Sequence, residues 1–303
     1  MGRLLANPYL ILTLTALFWA SNMVVGRAVS GEVPPFALAF GRWSIAILLV
    51  LPLALPHAKS QWGLLRREWR TLLALGLLGV GGYNTLAYLG LQQTTATNAA
   101  LLNSFIPIAT IAISWAFLGK RLHPMESAGV LVSLLGVMTI VGRGSAGTLA
   151  NLRLNPGDVW LLFAVLDWAL YTIVLAWRPV RVHPMLMLAA MILIGLAALL
   201  PGVLWELAHG RHMHFSAGSV AAVAYVGVFP GFVSYVFYNR GVAEVGASKA
   251  SLFIHLMPVF GTLLAAVFLA EVPRWYHYVG IALIFCGIGM TTAWRKAGLA
   301  EKR

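Results

Sequence analysis

With 303 residues, 60% of them apolar and 10% charged, the chain lacks the charge needed to cover a water-facing surface of its size. Nine acidic against 21 basic residues, a mean hydropathy of +0.84 and the single cysteine Cys286 exclude a soluble globule, a disordered chain, a coiled coil and a disulfide scaffold. What remains is an integral membrane protein, whose net charge of +12 reads as basic loops beside a bilayer and not as a nucleic-acid footprint.

A hydrocarbon core about 30 Å thick takes roughly 20 mostly apolar residues in a helix. In chain order such stretches fall at 8–29, 35–56, 71–91, 95–118, 124–142, 156–178, 184–206, 217–239, 246–270 and 273–294. Backbone groups in lipid must be satisfied within the segment, and none of these runs alternates like a strand, so ten transmembrane helices are predicted. No small-residue cleavage site follows the first run, which therefore reads as a span and not as a cleaved signal. Pro35, Pro124, Pro156, Pro184 and Pro273 each stand where a helix can begin.

Lysine and arginine in the loops orient the spans. With the N-terminus inside, fifteen basic residues, among them Lys59, Arg66, Arg67, Arg70, Arg178, Arg181, Lys296 and Arg303, fall on the cytoplasmic side. Five, namely Arg27, Arg143, Arg153, Arg211 and Arg274, fall opposite, and Arg42 lies within a span. A multi-pass protein of the cytoplasmic (inner) membrane with both termini cytoplasmic is expected.

The sequence also matches itself. At a shift of 149, Trp19-Ala20 falls on Trp168-Ala169 and Pro35 on Pro184; at 151, Pro107 meets Pro258, Phe117-Leu118 meets Phe268-Leu269, Gly129 meets Gly280 and Gly136 meets Gly287. Five spans per half is an odd number, so the second half enters the membrane with opposite orientation, as in inverted-repeat transporters. The expected fold is an all-α integral membrane protein of ten transmembrane helices, arranged as two inverted-topology five-helix repeats at 8–142 and 156–294.

The segment Asn98-Ala-Ala-Leu-Leu-Asn-Ser-Phe-Ile-Pro107, with Phe117-Leu118-Gly119-Lys120 and Gly129…Gly136, resembles the EamA domain of the drug/metabolite transporter superfamily. Ala250-Ser-Leu-Phe-Ile-His-Leu-Met-Pro258, with Phe268-Leu-Ala-Glu271 and Gly280…Gly287, resembles it a second time; Lys120 departs from the Phe-Leu-x-Glu form that Glu271 keeps. Among members the chain is most similar to YddG-type exporters of aromatic and other neutral amino acids. That resemblance implies a secondary transporter working by alternating access, not an enzyme, with no cofactor.

Polar residues within spans are costly and turn toward a cavity or a neighbouring helix. Those singled out are Trp19 and Asn22 in the first span, Tyr83, Asn84 and Tyr88 in the third, Asn103 in the fourth, Asp167, Trp168 and Tyr171 in the sixth, and Lys249 and His255 in the ninth. Tyr235 and Tyr238 add to the load in the eighth. A central aqueous cavity lined by these helices, with aromatic faces beside amide and hydroxyl groups, would suit a zwitterion with an apolar side chain. Each residue has a plainer alternative. An asparagine often bonds a neighbouring helix, Lys249 can simply reach water, and His255 can be either a proton carrier or a packing residue. Arg42 can pair with Asp167 or snorkel to the outer surface. Trp43, Trp62, Trp69, Trp177, Trp205, Trp275 and Trp294 lie toward span ends and read as interface anchors, whereas Trp19 and Trp168 sit near midplane. Pro107 and Pro258 are expected to bend their helices and act as hinges, and the glycine pairs to mark close helix packing.

Gly142-Arg-Gly-Ser-Ala-Gly147 spells GxGxxG but follows a membrane helix, and His209, His212 and His214 lack a fourth ligand, so neither a dinucleotide nor a metal is called for. The partners expected are the bilayer and a small-molecule substrate from among the neutral amino acids, with no nucleic acid and with a monomer the simplest form. Efflux of lipophilic drugs or of another small metabolite by the same fold is the alternative.

Overall fold

The computed structural model describes residues 7–94, 96–119, 123–150, 155–268 and 273–300. Lys120 and Glu271 lie outside these, as do the side chains of Asn98 and Trp294. The helices run α1 Pro8–Ala28, α2 Pro35–Arg67, α3 Trp69–Gln93, α4 96–118, α5 Pro124–Val141, α6 Pro156–Trp177, α7 Pro184–Ala208, α8 Ala217–Val245, α9 247–268 and α10 Trp275–Ala300. Among the described residues there is no strand, and α1 to α9 each hold a stretch long and apolar enough to cross a membrane; in α10 that stretch, Trp275–Thr291, is shorter. This is an all-α membrane protein of about ten spans.

Local chemistry sets the helix starts. Pro35, Pro124, Pro156 and Pro184 occupy the first turn of α2, α5, α6 and α7, where a missing N–H costs nothing. Asn7, Asn155 and Ser216 cap α1, α6 and α8 through their side-chain oxygens. One boundary differs from the sequence reading. The second span was expected to stop at residue 56, yet α2 continues through Pro52 and Pro56 to Arg67. The two prolines sit one turn apart on an exposed face, so the hydrogen bonds they remove lie on one side and the helix persists along the other. Its 33 residues reach about 50 Å, so its basic end, with Lys59, Arg66 and Arg67, stands beyond the hydrocarbon.

Packing follows a pseudo-two-fold pattern. Helices α5 and α10 pack antiparallel, Gly129 against Gly287 and Gly136 against Gly280, and α2 packs antiparallel on α7. The remaining large contacts come in related pairs: α1 on α8 with α6 on α3, α1 on α9 with α6 on α4, and α2 on α8 with α7 on α3. A Cβ at Gly129 would lie 2.6 Å from the Gly287 carbonyl, and one at Gly136 would lie 2.6 Å from that of Gly280. The glycines thus let two backbones touch where the sequence placed them for that purpose.

The α2–α7 pair is clamped at both ends. The Glu206 carboxylate on α7 accepts from the backbone N–H groups of Phe36 at 3.0 Å and Ala37 at 2.9 Å, capping α2. Gln61 Oε1 on α2 accepts the His183 N–H at 2.7 Å at the start of α7. Glu206 is buried, so Glu206→Ala strands two helix donors and is expected to lower stability by about 1–3 kcal/mol. Glu206→Gln, which keeps one acceptor, should lose less; equal melting of Glu206→Ala and the parent in detergent would refute the clamp.

Candidate functional site

Four helices change their winding in the middle of the bundle, at repeat-related places. In α3 residues Leu77–Gly82, and in α8 residues Gly227–Val233, form π-helical turns. Such turns leave carbonyls without the usual partner and concentrate at functional sites. Glycines relax the first; in the second, Pro230 has no N–H to give and its ring displaces the carbonyl a turn below. Helix α4 breaks between Ala96–Asn103 and Ile106–Leu118, and α9 tightens to a 3-10 turn at Phe253–His255. Both interruptions fall within the turn preceding Pro107 and Pro258, whose rings would clash with the carbonyls of Asn103 and Ile254 in an unbroken α-helix.

The carbonyls of the two π turns are used by facing helices. Gly79 O accepts from the Tyr235 hydroxyl, and Pro230 O accepts from Arg42 Nη2 at 2.8 Å and Trp19 Nε1 at 3.4 Å. Around Arg42 the network closes. Its Nη1 donates to Asn84 Oδ1 at 2.9 Å, Asn22 Oδ1 at 3.1 Å and the Tyr88 oxygen at 3.3 Å. Tyr88 OH donates to Asn22 Oδ1 at 2.9 Å, and Asn84 Nδ2 donates to Tyr235 at 3.3 Å. Arg42 is 1% exposed. It neither snorkels nor pairs with Asp167, correcting both sequence alternatives. The reason is geometric: α2 aims the side chain between α1, α3 and the π turn of α8, while Asp167 faces Gly82 and the Tyr83 backbone amide from α6.

Against this network stands an aromatic cluster. The rings of Trp19 and Trp168, related by the repeat, meet edge to face at 4.9 Å. Trp168 also touches Tyr83 at 4.8 Å, Tyr171 at 4.8 Å, Tyr238 at 5.3 Å and Tyr235 at 5.7 Å. Contacts of this kind add about 0.5–1.5 kcal/mol each beyond burial. The sequence expectation of an aqueous cavity lined by these groups is not met in this conformation: Trp168, Tyr171, Tyr235 and Tyr238 are buried against one another and fill the centre. Large rings on facing helices reach across the space that their residue types were expected to line.

The other predicted residues sit at the margins or elsewhere. Asn103 accepts from Tyr83 OH at 3.3 Å and lines a cavity of about 130 Å³ beside Ser104 and Pro258, at the two helix breaks. Asp167 borders the cluster through α3. His255 lies apart, with Nε2 donating to the Ser104 carbonyl at 2.8 Å and Nδ1 accepting from Ser133 Oγ at 2.7 Å. Because a carbonyl only accepts, the proton is on Nε2, and the ring ties α9 to the break in α4 and to α5. Lys249 is also apart, ion-paired with Glu126 Oε1 at 3.3 Å.

Sequence reading weighed Arg42 as a cation within a span without placing it in the site, and it missed Trp43 and Asn239. Trp43 is buried against Tyr235 at 4.7 Å instead of anchoring at the interface, whereas Trp62, Trp69, Trp177, Trp205 and Trp275 are exposed as expected. Asn239 accepts from Tyr171 OH at 2.5 Å and forms part of the wall of a cavity of about 500 Å³ on the face that carries Arg178, Arg181 and Arg240. One hydrogen bond therefore joins that vestibule to the aromatic cluster. The signal that could have exposed Arg42 is its asymmetry, since at a shift of 149 its counterpart is Met191.

Comparison with known proteins agrees with this architecture. A family model described as EamA-like transporter family matches residues 7–142 and 155–293. Curated relatives include an uncharacterised transporter, YyaM, of Bacillus subtilis, 26% identical with 93% of this chain and 92% of the relative covered. An uncharacterised transporter of Archaeoglobus fulgidus is 27% identical, with 95% and 98% covered. A probable terminal-alkyne amino-acid exporter of Streptantibioticus cattleyicolor is 26% identical, with 91% and 90% covered. A solved crystal structure superposes with a TM-score of 0.77 at 22% identity, over 96% of this chain and 98% of that one, which supports the fold.

Proposed function

This chain belongs to the EamA-like transporter family, a transporter and not an enzyme, and from that premise we propose that it exports neutral amino acids with aromatic or hydrophobic side chains by alternating access. The observation that carries the proposal is the shared Pro230 carbonyl, which joins Trp19 of the aromatic cluster to the polar network of Asn22, Asn84 and Tyr88. A zwitterion with an apolar side chain needs both environments within one molecular length. The amino-acid exporter among the relatives points the same way. The excess of basic residues on the face of the chain termini supports residence in the cytoplasmic membrane with both termini inside. The halves 8–142 and 156–294 act as the two repeats.

Counterflow in vesicles containing only the purified protein, challenged with amino acids, lipophilic drugs and nucleotide sugars, tests the reading. Exchange of Phe, Trp or Met supports it. Exchange of drugs or nucleotide sugars alone overturns it.

Access alternates in this proposal by bending at the breaks before Pro107 and Pro258. Pro107→Ala and Pro258→Ala restore a backbone donor and straighten α4 and α9, so exchange is expected to slow by about tenfold, a barrier change near 1.4 kcal/mol, with a smaller change in substrate affinity. Unchanged exchange rates in both variants would refute a hinge role.

A further inference from the structure

We infer that Arg42 is the anchor for a carboxylate on the transported molecule. The inference rests on the transport reading above and narrows its substrate class to compounds with an anionic carboxylate and an apolar body.

A guanidinium is not deprotonated in proteins, so Arg42 carries its charge into the middle of the bundle. Burying a charge is tolerable only when it is paired and hydrogen-bonded. The acceptors around Arg42 are all neutral: two amides, a phenol and one backbone carbonyl. Among the described residues no carboxylate forms an ion pair with it. Glu206 caps α2, Glu126 holds Lys249 and Asp167 faces Gly82 and the Tyr83 backbone amide, so among the described residues the network is hydrogen-bonded but lacks a counter-charge.

The guanidinium also keeps donors in reserve. Among the described residues Nε has no hydrogen-bond partner, and Nη2, with two hydrogens, donates to Pro230 O. A carboxylate bridges the Nε and Nη2 edge with two parallel hydrogen bonds, the strongest arrangement available to arginine. Packing does not require the cation, since Met191 fills the repeat-related position and is buried without charge. Because Trp19 shares the Pro230 carbonyl with Arg42, a carboxylate held there sets the remainder of the molecule against the indoles.

The test uses the intact wild-type protein first. Thermal stabilisation in detergent and competition in counterflow are measured for phenylalanine, phenylalaninamide, phenethylamine, 3-phenylpropionate and inorganic phosphate. Phenylalaninamide and phenethylamine, which keep the ring and amine but lack the carboxylate, are expected to bind at least about tenfold more weakly than phenylalanine, while 3-phenylpropionate retains binding. Arg42→Gln should level phenylalanine with its amide, and Arg42→Lys should restore part of the difference. If Arg42→Gln does not fold, the wild-type series decides alone. Equal binding of acid and amide by the wild type overturns the role of Arg42 while leaving amino-acid transport in place, and tighter binding of phosphate than of any carboxylate overturns it too. Stabilisation by carboxylates without exchange of any amino acid overturns the amino-acid reading and upholds the anchor.

Discussion

Trp168→Ala is expected to lower affinity for Phe and Trp by at least about tenfold more than for Thr, together with a stability loss of about 3–5 kcal/mol. The size follows from its position: the indole is buried and meets Trp19 and four tyrosine rings. Truncation leaves a cavity at the point where both repeats meet, and a small substrate loses little from the missing ring. Because stability and recognition fall together in that variant, Trp168→Phe and Trp19→Phe are the sharper instruments. Each keeps a ring in place, so each should fold and still discriminate less between Phe and Thr. Counterflow affinities for Phe, Thr and Met, taken beside melting temperatures, decide the matter. Equal losses for all three substrates, tracking the fall in stability, would reduce the cluster to packing and remove it from the binding site.

The second large effect lies away from the cluster. Gly287→Leu is expected to abolish or severely reduce folded protein, because a Cβ there would sit 2.6 Å from the Ser133 backbone nitrogen and 2.7 Å from its Cβ. Overpacking a flexible core costs about 1–3 kcal/mol, but here the obstacle is backbone, which cannot swing aside. Helices α5 and α10 must separate, and Ser133, displaced with α5, also holds His255 at the α9 turn. Gly261→Ala is the control, since a Cβ at that helical glycine meets nothing within 4 Å. Size-exclusion profiles and thermal unfolding in detergent compare the two. A Gly287→Leu protein that elutes and melts like the parent would show that the α5–α10 contact is not as tight as described.

The features readable from the sequence share one physical cause: each is a length, a spacing or a self-match along the chain. Lipid demands about 20 apolar residues per crossing, so the spans are legible from length, with Pro35, Pro124, Pro156 and Pro184 at their starts. The repeat pairs Trp19 with Trp168, and it pairs the glycines of α5 with those of α10. Their meeting in space follows from two halves built alike and set antiparallel.

What only tertiary structure decided is the direction in which side chains point. A soluble helix declares its inner face by polarity, whereas a helix between lipid and protein is apolar on both sides and gives no such contrast. Trp43 therefore read as an interface anchor though it packs against Tyr235, and Arg42 had a surface and a carboxylate as equal destinations though it reaches neither. The π turns escaped notice because they arise where glycine or proline weakens the backbone and a partner on another helix takes the freed carbonyl. That partner is Tyr235 for Gly79 and is Arg42 with Trp19 for Pro230. Such a bond costs nothing in hydropathy and leaves no period in the sequence, so the centre of this protein became visible only when helices distant in the chain were set side by side.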